Sequence, residues 1–301
     1  MNNLNYLTCF AIGVFCFSNL YAELQLSVID KDKYESLTGL KGSYNEKEKV
    51  FKASFPRNDI KIFVDNTQLD PFMGLTSWSA FTPVDEKKFL VMGDLVLFQD
   101  EVNPVMSALL NNNIEVTALH NHFFYDTPKI YFMHIGGEGS LGDLASGVIK
   151  ALDTIKEIRS KNSSPSNIFG GVSISSKNSI DPSSLEKIFG IKGQSKDGMG
   201  KFVFGRSVKM DNVTIGSDMG VNTWAAFAGT NENAIVDGDF AVLENELQPV
   251  LKALRKGNIN IVAIHQHMTM ESPRILFLHY WGKGNAENLA KTIKDALSLT
   301  K

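Results

Sequence analysis

At 301 residues, 43% hydrophobic and 21% charged, the chain has the composition of an ordinary globular protein, not of a disordered or fibrous one. Its formal charge of −3 leaves no basic footprint and argues against nucleic acid as a partner. Its only two cysteines are Cys9 and Cys16, so everything downstream is without a disulfide framework.

The first predicted element is the apolar run Leu7 to Leu20. It is too short to cross a bilayer, which takes ~20 residues. Leu20-Tyr21-Ala22 then offers a small residue for cleavage. Residues 1–22 therefore read as a secretory signal peptide, which implies an exported protein, periplasmic or extracellular. The leading residues carry no Lys or Arg, and the alternative is a retained N-terminal anchor. Phe15 is too bulky for a lipoprotein box before Cys16. A metal held by the mature chain would have to use His, Asp, Glu or water.

Asp30 to Leu37 follows as a short helix ending near Gly39. Next, Gly39-Leu40-Lys41-Gly42 recurs as Gly190-Ile191-Lys192-Gly193, there after Ser183-Ser184-Leu185-Glu186, a capping-box pattern. The echoes continue in order. Thr76-Ser77-Trp78 to Phe81 matches Asn222-Thr223-Trp224 to Phe227, and Gly93-Asp94 matches Gly238-Asp239. Glu101-Val102-Asn103-Pro104 matches Glu246-Leu247-Gln248-Pro249. From Gly93 onward the offset is a constant 145 positions, so one unit of about 120 residues is present twice.

Within a unit, Trp78 to Phe81 and Phe89 to Phe98 read as strands. Asp100 caps a helix to Leu110, with Pro104 in its first turn. Ile114 to Phe123 and Lys129 to Gly136 are the third and fourth strands, and the spacing of Leu141, Leu144, Ala145, Val148, Leu152 and Ile155 is helical. The order β-β-α-β-β-α predicts an α+β fold. Two tandem homologous units, with mainly antiparallel sheets and helices on one face, would pack with pseudo-twofold symmetry. The domain reading is signal peptide 1–22, first repeat 23–159, Ser/Asn-rich linker 160–182 and second repeat 183–301, with Ile168 to Ile174 a possible local strand in the linker.

All six histidines fall in two stretches, Ala118-Leu119-His120-Asn121-His122 to His134 and Ala263-Ile264-His265-Gln266-His267 to His279. Alternate residues on a strand share a face, so His120 and His122 point the same way. A hairpin centred near Thr127 would set His134 opposite His120, and the same holds for His265, His267 and His279 about Ser272. Three imidazoles on one face are a natural site for a transition metal, zinc first and copper next. Asp126 and Glu271, in the turns, are candidate general bases on metal-bound water, or simply turn residues that bond their own backbone. Asp94 and Asp239 rank third as ligands, approaching from an adjacent strand. Gly136 to Gly139 could offer N–H groups to an anion, though turn geometry explains them as well. Trp78 and Trp224 read as core.

The two histidine stretches, the Gly-Asp strand and the duplication resemble the LppY/LpqO-type family of secreted bacterial proteins, over nearly the whole mature chain. That resemblance implies export and an internal repeat and supplies no activity. The first functional expectation is a binding or sensing module that takes a metal ion or small ligand through the His-x-His…His triplet of each repeat. One alternative is a metal-dependent hydrolase of envelope material. The other is a metal-free interaction protein with a histidine-lined pocket or a pH-sensitive interface. Whether the six rings make one site or two is open in the sequence.

Overall fold

The structure, a computed structural model, describes residues 30–301. The segment read as a signal peptide thus lies outside the described residues. The first unit begins with α1 (Lys31–Thr38), capped by the Asp30 carboxylate and closed by Gly39. There follow β1 (Gly42–Asn45), β2 (Val50–Pro56), β3 (Ile62–Val64), β4 (Thr67–Leu69), β5 (Thr76–Pro83) and β6 (Phe89–Phe98). The unit closes with α2 (Gln99–Asn111), β7 (Glu115–His120), β8 (Asp126–Thr127), β9 (Ile130–Gly139) and α3 (Leu141–Lys161). The second unit repeats the series as α4 (Pro182–Phe189), β10 (Gln194–Lys196), β11 (Met199–Gly205), β12 (Val208–Met210), β13 (Val213–Ile215), β14 (Asn222–Gly229) and β15 (Ala234–Leu243). It ends with α5 (Glu244–Lys256), β16 (Asn260–His265), β17 (Glu271–Ser272), β18 (Ile275–Gly284) and α6 (Ala286–Leu297).

Twelve strands join in one sheet, ordered β1-β2-β5-β6-β9-β7-β16-β18-β15-β14-β11-β10, and all its pairings are antiparallel. The order is a palindrome about the β7–β16 pair, so the two β-β-α-β-β-α units are related by a pseudo-twofold axis through that seam. Two small sheets, β4-β3-β8 and β13-β12-β17, add to it. The helices cover one face. On α2, Val102, Val105, Met106 and Leu109 keep the i, i+3, i+4, i+7 spacing, and all are buried against Leu95, Leu97 and Met133 of the sheet. Each such side chain contributes roughly 1.5–3 kcal/mol on burial. One apolar cluster runs through both units, from Leu119 of β7 to Ile264 of β16. The opposite face has only small clusters, around Phe132 and around Phe277, beside the small sheets.

Several local expectations change. The cap of α2 is not Asp100: the Glu101 carboxylate accepts from the Phe98 N–H, and Asp100 pairs with Arg159. Because α2 starts at Gln99, Pro104 lies beyond its first turn. The cap of α4 is Asp181, which accepts from the Ser183 N–H. Glu186 instead accepts from the Gly193 N–H, as Glu35 does from Gly42. That shared bond is the physical content of the Gly-x-Lys-Gly echo. Gly136 to Gly139 are strand residues, paired with Phe89 to Met92 of β6, so they present no anion-binding turn. Residues 168–174 form no strand.

The Gly-Asp pairs have a steric cause. A Cβ at Gly238 would run into the Trp224 carbonyl and the Tyr280 phenol, whose hydroxyl donates to that carbonyl at 2.9 Å. Gly238→Ala is expected to cost about 1–3 kcal/mol through overpacking. The check is the urea midpoint, and an unchanged midpoint would show that the close approach is not obligatory.

Candidate functional site

The histidines lie on the sheet face that the helices leave uncovered. Register places them. Trp78 pairs with Asp94, Asp94 with His134, and His134 with Ala118. The antiparallel pairing of Leu119 with Ile264 sets Ala118 across from His265 and His120 across from Ala263. One row of side chains therefore reads Trp78, Asp94, His134, Ala118, His265. Its dyad copy reads Trp224, Asp239, His279, Ala263, His120. Each row crosses from one unit into the other. Four imidazoles frame a floor of two alanines, and the six rings belong to one continuous face.

The hairpin differs from the predicted one by two residues. His120 faces Phe132, and His134 faces Ala118, so both stay on one face, one step apart. A shift by an even number of residues preserves the face. The strand also ends at His120, so His122 sits in the loop, exposed, with its ring stacked on Phe132 at 3.4 Å between centroids and 5° between planes. His267 stacks on Phe277 in the same way, at 3.5 Å and 10°.

The rings associate in pairs. His134 Nε2 lies 3.0 Å from His120 Nε2 in the first unit, whereas His267 Nε2 lies 3.2 Å from His265 Nε2 in the second. Such a contact needs one nitrogen protonated and the other bare. Asp239 approaches His267 at 3.4 Å and His279 at 3.7 Å. The metal expectation is overturned here. Among the described residues no group of three or more His, Cys, Asp or Glu side chains is arranged to hold a metal ion. The physical reason is the pairwise contacts: one ring of each triplet is laid flat on a phenylalanine, and the paired nitrogens face each other. Zinc or copper as cofactor, and the metal ion or small ligand as partner of the triplets built from His120, His122, His134, His265, His267 and His279, are corrected by this finding.

Burial governs the protonation of the cluster. It pushes the Asp94 carboxyl up, against the opposing pull of His134, His122 and His120. It pushes Asp239 up to about 6, with His279 opposing and Asp237 adding to the rise. Burial also lowers His122, His265 and His267, helped by neighbouring imidazoles. Asp94 Oδ1, Asp239 Oδ1 and His265 Nδ1 are buried without a hydrogen-bond partner.

Asp126 and Glu271 stand apart from this chemistry. Asp126 accepts from the Ile130 N–H at 2.8 Å and meets Lys129 at 3.2 Å, and Glu271 accepts from the Ile275 N–H at 3.2 Å. Both carboxylates brace the start of the next strand, the turn role named from sequence. Trp78 and Trp224 are half-buried on the uncovered face, not core, each with a lysine Nζ (Lys52, Lys201) 4.4 Å from its ring centroid.

Sequence reasoning missed two buried devices. Arg57 holds Glu101 through two bonds of 2.7 and 3.0 Å, and Arg206 holds Glu246 at 2.5 Å. The Phe55-x-Arg57 and Phe204-x-Arg206 echo was the available signal. The other device is the amide pair Asn103 and Gln248, which reaches across the seam. The family described as Domain of Unknown Function (DUF1259) matches residues 32–154 and 183–299, one match on each unit. The chain belongs to this family. The two matched segments of the DUF1259 family begin within α1 and α4; the first ends within α3 and the second just past α6. No curated protein matches the chain. Among solved structures, a trimeric bacterial microcompartment shell protein, PduB, is similar at 11% identity and a TM-score of 0.19, over 86% of this chain and 89% of that one.

Proposed function

We propose that the protein is a metal-free interaction module whose histidine and aspartate face docks a partner as a function of pH. The observation that carries this reading is the gathering of six imidazoles and two aspartates, Asp94 and Asp239, on one uncovered sheet face across the pseudo-dyad. Asp237, Glu115, Glu138, Lys283 and the lysines over Trp78 and Trp224 are the other charged groups the register places there. A neutral imidazole pair shares one proton. Protonating both partners sets N–H against N–H and drives them apart. Acidification thus changes both the charge and the geometry of the face.

The signs follow from the directions. An unfolded Asp titrates near ~3.9. Asp239, held up to about 6, keeps its proton longer in the folded state. Its contribution to stability therefore falls as pH rises from about 4 to 6. The lowered histidines act oppositely: the unfolded chain takes up protons first below ~6.5, so their contribution falls on acidification. As pH drops through this window the face passes from negative to positive. A positive face fits an acidic protein surface, and near the sequence pI of about 6.1 the chain's own net charge passes through zero, so repulsion between two copies is least there.

Sedimentation velocity in EDTA between pH 7.5 and 5.0 tests the reading. Self-association is expected to rise steeply near pH 6, to shift in Asp239→Asn, and to vanish when His120, His134, His265 and His279 are changed to Gln. A sedimentation coefficient that stays constant across the range would sink it.

A further inference from the structure

A second feature adjoins the histidine face, sharing Trp281 of β18 with it, and its argument uses none of the histidines. A cavity of about 610 Å³ opens beside the start of β16, between the first turns of α2 and the connection joining α3 to α4. That volume is in the range of small-molecule sites. Its walls are apolar and aromatic, with Val102, Pro104, Tyr131, Ile168, Phe169 and Trp281. Phe169 and Trp281 meet edge to face, 4.3 Å between centroids.

One cation lines this cavity, Arg255 of α5. Its Nε donates to Ser107 Oγ at 3.1 Å, and its Nη1 donates to the Ile259 carbonyl and to Asn260 Oδ1, both at 2.8 Å. All three acceptors are neutral. A guanidinium has five N–H donors, so the two on Nη2 are left without a protein acceptor. Among the described residues no carboxylate lies within ion-pair distance of this side chain, in contrast to Arg57, Arg159 and Arg206. Burial lowers its pKa to about 10, so it keeps its charge at neutral pH. Asp100 also lines the cavity; its Oδ2 accepts from Arg159 and from the Ser166 N–H, while its Oδ1 is buried without a hydrogen-bond partner. In the first unit the position equivalent to Arg255 is Leu110, a buried core residue. The cation is therefore a departure from the repeat, and it faces the one connection that the repeat does not duplicate.

We propose that this cavity binds a small organic carboxylate with an apolar or aromatic body, the carboxylate accepting from Nη2 of Arg255 and the body lying against Trp281 and Phe169. A half-buried guanidinium without a counter-ion supplies a charge-assisted donor pair matched to a carboxylate. The aromatic walls supply the apolar contact.

The probe is 2-naphthoate, with neutral 2-naphthamide as its comparison, followed by calorimetry and by Trp fluorescence. Naphthoate is expected to bind the full chain more tightly than naphthamide. Arg255→Leu, which installs the residue the first unit carries, is expected to weaken naphthoate about tenfold or more and to leave naphthamide unchanged. Trp281→Leu is expected to weaken both probes and to remove the fluorescence response. Arg255→Lys, which keeps charge without the fork, separates a folding defect from a lost contact: it should retain part of the naphthoate affinity. Absence of naphthoate binding to the unaltered chain at millimolar concentration, or equal naphthoate binding by the unaltered chain and Arg255→Leu, overturns the proposal.

Discussion

Replacing Glu101 with Ala is expected to lower stability by about 3–5 kcal/mol, the usual cost of removing one partner of a buried ion pair. The Glu101 side chain is fully buried. It accepts from Arg57 twice, from the Phe98 N–H at 2.9 Å, and lies 3.0 Å from Arg159 Nε. Burial works against the charge of Arg57, but the bonds to Glu101 and Asp59 outweigh it. Without Glu101, Arg57 keeps Asp59 and the Val96 carbonyl and Arg159 keeps Asp100, but both lose the fully buried counter-charge between them, and the Phe98 N–H just before α2 loses its acceptor. The same change at Glu246 is expected to cost less. Its partner is a single arginine, and the backbone N–H of Lys301 stands where the first unit has Arg159. Thermal unfolding followed by circular dichroism gives the comparison. The expected order of melting temperature is wild type, then Glu246→Ala, then Glu101→Ala. Equal melting of Glu101→Ala and wild type would show that the pair is dispensable.

The second large effect is expected at the seam. Asn103 donates to the Ile261 carbonyl at 3.0 Å and accepts from the Ile261 N–H at 2.8 Å. Gln248 does the same for Val116 of the other unit, at 2.9 and 3.1 Å. The register of β7 and of β16 slips next to these residues, between Val116 and Ala118 and between Ile261 and Ala263. A bulge frees backbone groups from the ladder, and here a side-chain amide from the opposite unit takes them up. Val116 and Ile261 are buried, so water offers no substitute. An unsatisfied buried group costs ~1–3 kcal/mol. Asn103→Ala with Gln248→Ala orphans four such groups and is expected to lower stability by roughly 4 kcal/mol or more. Calorimetry is the measurement, because loss of the seam should also split one unfolding transition into two. A double variant that melts as a single transition at the wild-type temperature would remove the amides from the account of the seam.

The units were legible in the sequence because duplication writes the same pattern twice at a fixed offset. The strand Phe89–Phe98 and the helix at Leu141 follow from periodicity, since one face of each must be apolar. The face shared by His120 and His134 was legible for the same reason, even with the hairpin shifted by two. The small strands β3, β4, β12 and β13, three residues each, were not, because so short a run carries no period. The cap of α2 was misplaced at Asp100 because Asp100 and Glu101 offer the same carboxylate one residue apart. Only the position of Arg57, forty-four residues away, distinguishes them.

By itself the sequence determined the α+β repeat, the placement of all six histidines, and their common face within each hairpin. Those properties depend on neighbours close along the chain. Tertiary structure alone decided that the two hairpins meet at one seam and that the rings stack and pair in place of converging on an ion. It also left Arg255 beside a cavity with no carboxylate in reach. The seam and the setting of Arg255 depend on strands and helices more than a hundred residues apart, and the ring pairing on side-chain rotation within a hairpin; no local pattern records which partner a side chain meets there.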